Sequence, residues 1–195
     1  MELIRLSKDF FLQDTVSVSK NLLGKFLCRK TNLGLIISQI VEPEAYLSKN
    51  DLACHASIKK TKRNEKMFEE GGISYVYLIY GFYYCFNIVT GLKDSGEAVL
   101  IRALEPISGI DIMKSFRPVS KIKNLTNGPS KLCLALNISK KENGLNLIES
   151  NELFLADNKN ISDSDIITTT RIGITKDSHL PLRFYIKNNQ FVSKK

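Results

Sequence analysis

Ten consecutive residues, Tyr75-Val-Tyr-Leu-Ile-Tyr-Gly-Phe-Tyr-Tyr84, contain five of this chain's seven tyrosines. Aromatic and β-branched residues on both sides of a lone glycine are the composition of two strands joined by a tight turn. Residues 75–80 and 82–89 therefore read as a hairpin that turns near Gly81, with Tyr80 projecting from its tip. Each buried phenol hydroxyl needs a partner, so all five cannot turn into a core. Upstream lie a Glu-Pro-Glu strand ending in Tyr46 and a basic loop over residues 59–66. Aromatic faces, carboxylates and cations in one stretch are what it takes to stack, hold and attack a nucleic-acid base.

The rest of the chain reads as short elements around this hairpin. Residues 9–27 read as short helices, residues 26–29 and 35–46 as a second hairpin around Asn32-Leu33-Gly34, and residues 51–67 as helix and loop. Along the strand that ends in Tyr46, Glu42, Glu44 and Tyr46 share a face, because side chains alternate with period two. Pro43 cannot donate to a ladder, which places that end of the strand at an edge, a bulge or an opening where substrate reaches both carboxylates. Residues 97–104 form a further strand, and Asn127-Gly-Pro-Ser starts a helix with Pro in its first turn. Residues 140–170 show no clear pattern, and residues 171–174 and 182–186 read as closing strands. The expectation is one mixed α/β (α+β-like) domain over residues 1–195, with a curved, largely antiparallel sheet, a protruding hairpin and flanking helices.

Composition narrows the functional classes. With 43% hydrophobic and 25% charged residues the chain is globular rather than disordered. A formal net charge of +8 favours polyanionic partners, although it equally serves solubility. Cys28, Cys54, Cys85 and Cys133 form no C-x-x-C pair, which argues against a zinc site or a secreted disulfide framework. The N-terminus lacks a signal-peptide layout and no stretch has the length of a membrane span. The expected setting is cytoplasmic and nucleoid-associated.

Each candidate residue has a plainer alternative. Glu44, among apolar and aromatic neighbours, can act as general base toward water, or be a hydrated strand-end carboxylate. Glu42 stands too close to it for a glycosidase acid/base pair and takes a structural or minor role. Arg102 ends an apolar strand, where it can hold a carboxylate, a water or a phosphate, or form a structural ion pair. His55 is either a packed, hydrogen-bonded histidine or a ligand contact; no second His or suitably spaced Cys supports a metal. Tyr46, Tyr77 and Tyr80 can stack on a base or pack inward, and Asn87 is a satisfied core amide or a specificity contact. Residues 59–66 hold five cations in eight positions, a solvated face or a phosphate-tracking edge. The turn from Gly128 to Lys131, opening a helix, is a weak anion-site signal.

Taken together and in order, these motifs resemble the alkyladenine (3-methyladenine) DNA glycosylase family. Glu42-Pro-Glu-Ala-Tyr46, His55, Tyr75-Val-Tyr-Leu-Ile-Tyr-Gly81, Asn87 and Val99-Leu-Ile-Arg-Ala-Leu-Glu-Pro106 carry the match. Asn127-Gly-Pro-Ser-Lys-Leu-Cys133, Arg171-Ile-Gly173 and Pro181-Leu-Arg-Phe-Tyr185 extend it toward the C-terminus. The resemblance implies a monofunctional enzyme, without metal or cofactor, that flips a damaged purine from double-stranded DNA and hydrolyses its bond to deoxyribose. It implies Glu44 as general base, with Arg102 helping to hold the water. Tyr46, His55, Tyr77 and Asn87 would line the base pocket, with Asn87 discouraging guanine. Tyr80 would fill the gap in the stack, while Phe82, Gly128 and Lys131 would meet the DNA backbone. A monomer is expected. The rivals are a non-catalytic binder of damaged DNA and an RNA-binding module that stacks bases on the tyrosines.

Overall fold

The computed structural model describes residues 2–194. Its strands are β1 (Phe26–Thr31), β2 (Gly34–Tyr46), β3 (Ser74–Ile79), β4 (Tyr83–Thr90), β5 (Glu97–Ser108), β6 (Leu153–Ala156), β7 (Ile166–Thr169) and β8 (Arg183–Ile186). They form one curled sheet in the order β3-β4-β5-β2-β1-β6, with every pairing antiparallel. β2 is long enough to serve two partners on one side. Its first half pairs with β1, and its far end, at Glu44, meets Arg183 of β8, which in turn carries β7.

Period-two alternation gives this sheet two different faces. Ile40, Val76, Phe86, Ile88, Val99 and Ile101 point to one face and form the main core. The helices α1 (Lys8–Leu12), α2 (Thr15–Asn21), α3 (Ile110–Phe116) and α4 (Pro129–Ala135) cover that face, supplying Phe11, Val18, Met113 and Leu132. Each such side chain stabilises the fold by about 1.5–3 kcal/mol relative to exposure. Tyr75, Tyr77, Cys85, Asn87 and Arg102 alternate with those core residues and so stand on the opposite face, where the register shifts in β2 between Ile40 and Pro43 also bring Glu44. The mixed α/β class, the antiparallel sheet and the β3–β4 hairpin are as the sequence implied.

Several local expectations give way. Residues 51–67 contain no α-helix, only turns before a 3-10 turn at Glu65–Phe68. The loop is wound around buried Asn64, whose Nδ2 donates to the carbonyls of His55 (2.7 Å) and Lys59 (3.0 Å). A cationic run also disfavours a helix by like-charge repulsion at i, i+4 spacing. Residues 171–174 are not a strand; β7 ends at Thr169 and the chain then turns inward. α3, β6 and β7 were not anticipated. Among the described residues no helix is long and apolar enough to cross a membrane.

Candidate active site

The floor of the site is built where β2 cannot hold a regular ladder. Pro43 has no N–H, and the β2–β5 register shifts between Ile40 and Glu42 and again between Glu42 and Pro43. This irregularity aims Glu42 and Glu44 under the open face, and both are 0% exposed. Neither carboxylate is a hydrated strand-end group: both lie beneath the recess with no surface exposed to solvent. Arg102 of β5 reaches across both, with Nε 3.5 Å from Glu42 Oε1 and Nη1 3.3 Å from Glu44 Oε1. Glu44 Oε1 also accepts the backbone N–H of Ile172 (2.8 Å), and its Oε2 accepts the hydroxyl of Tyr46 (2.9 Å). Glu42 accepts from Arg183 Nη1 (2.9 Å) and from both the N–H (2.6 Å) and the hydroxyl (3.0 Å) of Ser193.

Burial is the largest influence on Glu44 and pushes its carboxyl above the ordinary 4.5; Arg102, the Ile172 N–H and the Tyr46 hydroxyl pull it back. A carboxylate held this way is a stronger base once ionised. Burial, and next Glu44 itself, raises the Tyr46 phenol, which therefore stays a hydrogen-bond donor.

A second buried pair aims these groups, and sequence reasoning assigned it no role. Arg171 donates to both carboxylate oxygens of Asp51 (2.7 and 2.6 Å) and to the Ala45 carbonyl (3.0 Å). Its guanidinium lies 4.6 Å from the centroid of the Tyr46 ring. This clamp fixes the turn that presents Ile172 N–H to Glu44, so residues 171–174 work as a bracket rather than a strand. Arg171 and Asp51 are 120 positions apart, so no local pattern could have joined them.

Above the floor lie two adjoining recesses that share Tyr46, His55 and Tyr77. The inner one, a cavity of about 20 Å³ with room for about one water, reaches between Tyr75, Asn87, Met67 and Ala98. The outer one adds Tyr80, Arg102, Pro129 and Ile172. His55 stands edge-on to Tyr77 with centroids 4.6 Å apart, and its Nδ1 shares a 2.9 Å hydrogen bond with the Tyr75 hydroxyl. Burial, then nearby Arg63, lowers the His55 pKa, which favours the neutral imidazole. Asn87 Nδ2 donates to the Tyr75 carbonyl (3.0 Å) while the side chain lines the inner recess. It is thus a held amide and a wall of the cavity at once. Tyr75 joins the walls although only its neighbour Tyr77 was singled out; their i, i+2 spacing was the available signal.

The hairpin tip has the opposite character. Tyr80 has φ +53° and Gly81 φ +81°, and the Phe82 N–H reaches the Ile79 carbonyl (3.4 Å), closing a turn of the primed type. Tyr80 is 77% exposed and Phe82 65% exposed. The start of α4 borders the outer recess through Pro129 and Ser130. Gly128 and Lys131 stand beside that rim without lining it, and Lys131 Nζ donates to Asn127 Oδ1 (2.9 Å).

A slot walled by aromatic rings, with a buried glutamate and arginine at its floor, can grip a planar ring and activate water beside it. Comparison with known proteins gives that class a family. The family model described as Methylpurine-DNA glycosylase (MPG) matches residues 9–190. A relative from Francisella tularensis subsp. tularensis (strain FSC 198) is 51% identical over 93% of this chain and 94% of its own length. One from Carboxydothermus hydrogenoformans is 49% identical over 97% and 99% of the two chains. Both carry the name "Putative 3-methyladenine DNA glycosylase". The chain belongs to the methylpurine-DNA glycosylase family. It is a DNA glycosylase, a hydrolase of N-glycosyl bonds that works in DNA repair.

Proposed function

We propose that the protein is a monofunctional purine-DNA glycosylase acting as one domain over residues 1–195. It turns an alkylated or deaminated purine out of duplex DNA and hydrolyses the bond to deoxyribose, leaving an abasic site in an uncut strand. The substrates are 3-methyladenine and other damaged purines of the same class, among them 7-methylguanine, hypoxanthine and ethenoadenine. It works as a monomer in the cytoplasm, on nucleoid DNA. The observation that carries this reading is the state of Glu44: wholly buried, beside Arg102, beneath a recess walled by Tyr46, His55 and Tyr77.

A carboxylate oxygen has two acceptor directions. Glu44 Oε1 accepts from the Ile172 N–H and faces the Arg102 guanidinium as an ion pair, whereas Oε2 accepts only from Tyr46. The remaining direction of Oε2 receives the attacking water. Glu44 takes the water's proton, its oxygen forms the new bond to C1′, and the purine departs with the electrons of the N-glycosidic bond. Arg102 steadies the carboxylate and the water. Tyr46, His55 and Tyr77 hold the extruded base, and Asn87 crowds the exocyclic amine of a guanine.

A purine methylated on a ring nitrogen is a cation, and cation–π attraction from the pocket tyrosines favours it by about 0.5–2 kcal/mol. A neutral His55 adds no repulsion against that charge. Tyr80 fills the gap left in the stack, offsetting part of the few kcal/mol that extrusion costs. Phe82, Gly128 and Lys131 meet the backbone around it. The test incubates the protein with duplex DNA methylated on its purines and measures free bases by chromatography. Wild type should release 3-methyladenine, with strand breaks only after alkali. Glu44→Gln should slow release by about 10²–10⁴-fold while still binding a duplex with an abasic analogue. Tight binding without release by the wild type would instead leave a damage-binding module.

A further inference from the structure

The two faces of the β3–β4 hairpin are differently equipped, and the recess described above uses only one. Tyr75 and Tyr77 point into the recess, so Val76 and Leu78 point to the reverse, where Tyr84 stands opposite Leu78. Beside them, along the outer edge of β3, runs a second groove lined by Lys62, Arg63, Val76, Leu78, Tyr84, Lys140 and Asn143, and divided from the catalytic recess by Tyr77, which lines both. No carboxylate lines it. Lys62, Arg63 and Lys140 are all exposed, and none makes an ion pair among the described residues. By contrast, Lys60 and Lys66 of the same basic run face Asp94 and Glu69. Lys59 of that run is likewise without an ion pair among the described residues but lies outside the groove, whereas Lys62 and Arg63 bring their uncompensated charge to its wall.

The groove is also built rather than incidental. Arg63 is fixed at the boundary with the catalytic recess, donating to the Leu78 carbonyl (3.3 Å) and lying 5.8 Å from the centroid of the Tyr77 ring. Asn143 Oδ1 accepts the outward N–H of Val76 (2.9 Å). Together these contacts cover the edge of β3, which is thereby closed to a pairing peptide strand, and leave cations pointing outward.

We propose that this reverse-face groove seats the backbone phosphates of the undamaged DNA strand. The inference rests on the reading that the Tyr80 tip enters the duplex. A wedge that fills the place of an extruded base has the damaged strand on one side of it and the complementary strand on the other. The face with the catalytic recess takes the strand whose base is extruded. The other face meets the complementary strand, and it carries three unpaired cations and a half-buried Tyr84 suited to that polyanion. Lys62 and Lys140 thus grip the intact strand while Arg63 stands between the two.

The experiment measures affinity against salt for a duplex holding a tetrahydrofuran abasic analogue, with wild type and the Lys62→Gln/Lys140→Gln double variant. A second duplex carries neutral methylphosphonate linkages in the complementary strand opposite the lesion, and a third sample is the lesion strand alone. On the intact duplex the double variant should flatten the log–log salt slope by about 2, one phosphate contact for each lysine. On the neutralised duplex and on the single strand, the variant and wild type should coincide. Equal flattening on the single strand would assign the lysines to the damaged strand and overturn the proposal; an unchanged slope on the intact duplex would overturn it as well. The abasic analogue has no base to release, so either result stands apart from success or failure of the glycosylase assay.

Discussion

The floor of the site and the tip of its hairpin break the ordinary partition of residues in opposite ways. In the floor, Glu42, Glu44, Asp51, Arg102, Arg171 and Arg183 are all less than a tenth exposed. At the tip, Leu78, Tyr80, Phe82 and Tyr83 are between 37% and 77% exposed. Buried charge is tolerated only when each group has partners, so the floor is rigid and interdependent. Exposed aromatic surface stabilises nothing in the free protein and is available to a ligand. The lesson is that stability and binding are separable here by region.

The sharpest way to break that contrast is Arg102→Gln. It leaves two buried carboxylates short of their shared cation and should cost about 3–5 kcal/mol in a denaturant titration. The pH dependence has a definite sign. Losing Arg102 removes a lowering influence, so the folded pKa of Glu44 climbs further above 4.5. Between 4.5 and that folded value the unfolded chain has released a proton that the folded chain retains. The stability deficit should therefore be smallest below pH 4.5 and deepen as pH rises through the folded pKa. A deficit that shrinks with rising pH would mean Glu44 is not the group involved.

Tyr80→Ala probes the other region. Binding to an abasic-analogue duplex should weaken by about 1–3 kcal/mol, the worth of one aromatic–base stack. Thermal stability should stay within about 1 kcal/mol of wild type, because the side chain is exposed and its φ is positive. A variant that unfolds earlier but binds normally would reverse the roles assigned to floor and tip.

Glu42→Gln is the finest probe. The Glu42 charge raises Glu44 as the smallest of its influences, so neutralising it should move the acid limb of base release to lower pH. Arg102→Gln should move the same limb upward. A Gln amide facing the Ser193 N–H also leaves one donor unpaired, at about 1–3 kcal/mol. Displacement of both limbs in one direction would separate Glu42 from the Arg102–Glu44 pair.

What could be read in advance followed the range of the physics. Strand alternation placed Glu42, Glu44 and Tyr46 on one face, and Gly81 located the turn beside Tyr80. Both are consequences of neighbours within a few residues. The helix expected over residues 51–67 failed because Asn64 captures the carbonyls of His55 and Lys59, a competition between side chain and backbone that propensity does not weigh. The residues 171–174 strand failed because Ile172 N–H and the Arg171 side chain were drawn to Glu44 and Asp51. β6 was missed because its four residues find their partners in distant β1 and in the N-terminal segment at Arg5 and Leu6.

By itself the sequence determined the hairpin, the alternation of faces, the basic loop and the residue types the site contains, because periodicity and turn chemistry act over short distances. Only the tertiary structure decided that Glu44 is buried rather than a hydrated strand-end carboxylate, and so that its carboxyl titrates high. It alone joined Arg171 to Asp51 across 120 positions, and it alone left Lys62 and Lys140 uncompensated while Lys60 and Lys66 found acids. Burial and charge pairing depend on which distant segments share a face, and that is set when the sheet closes.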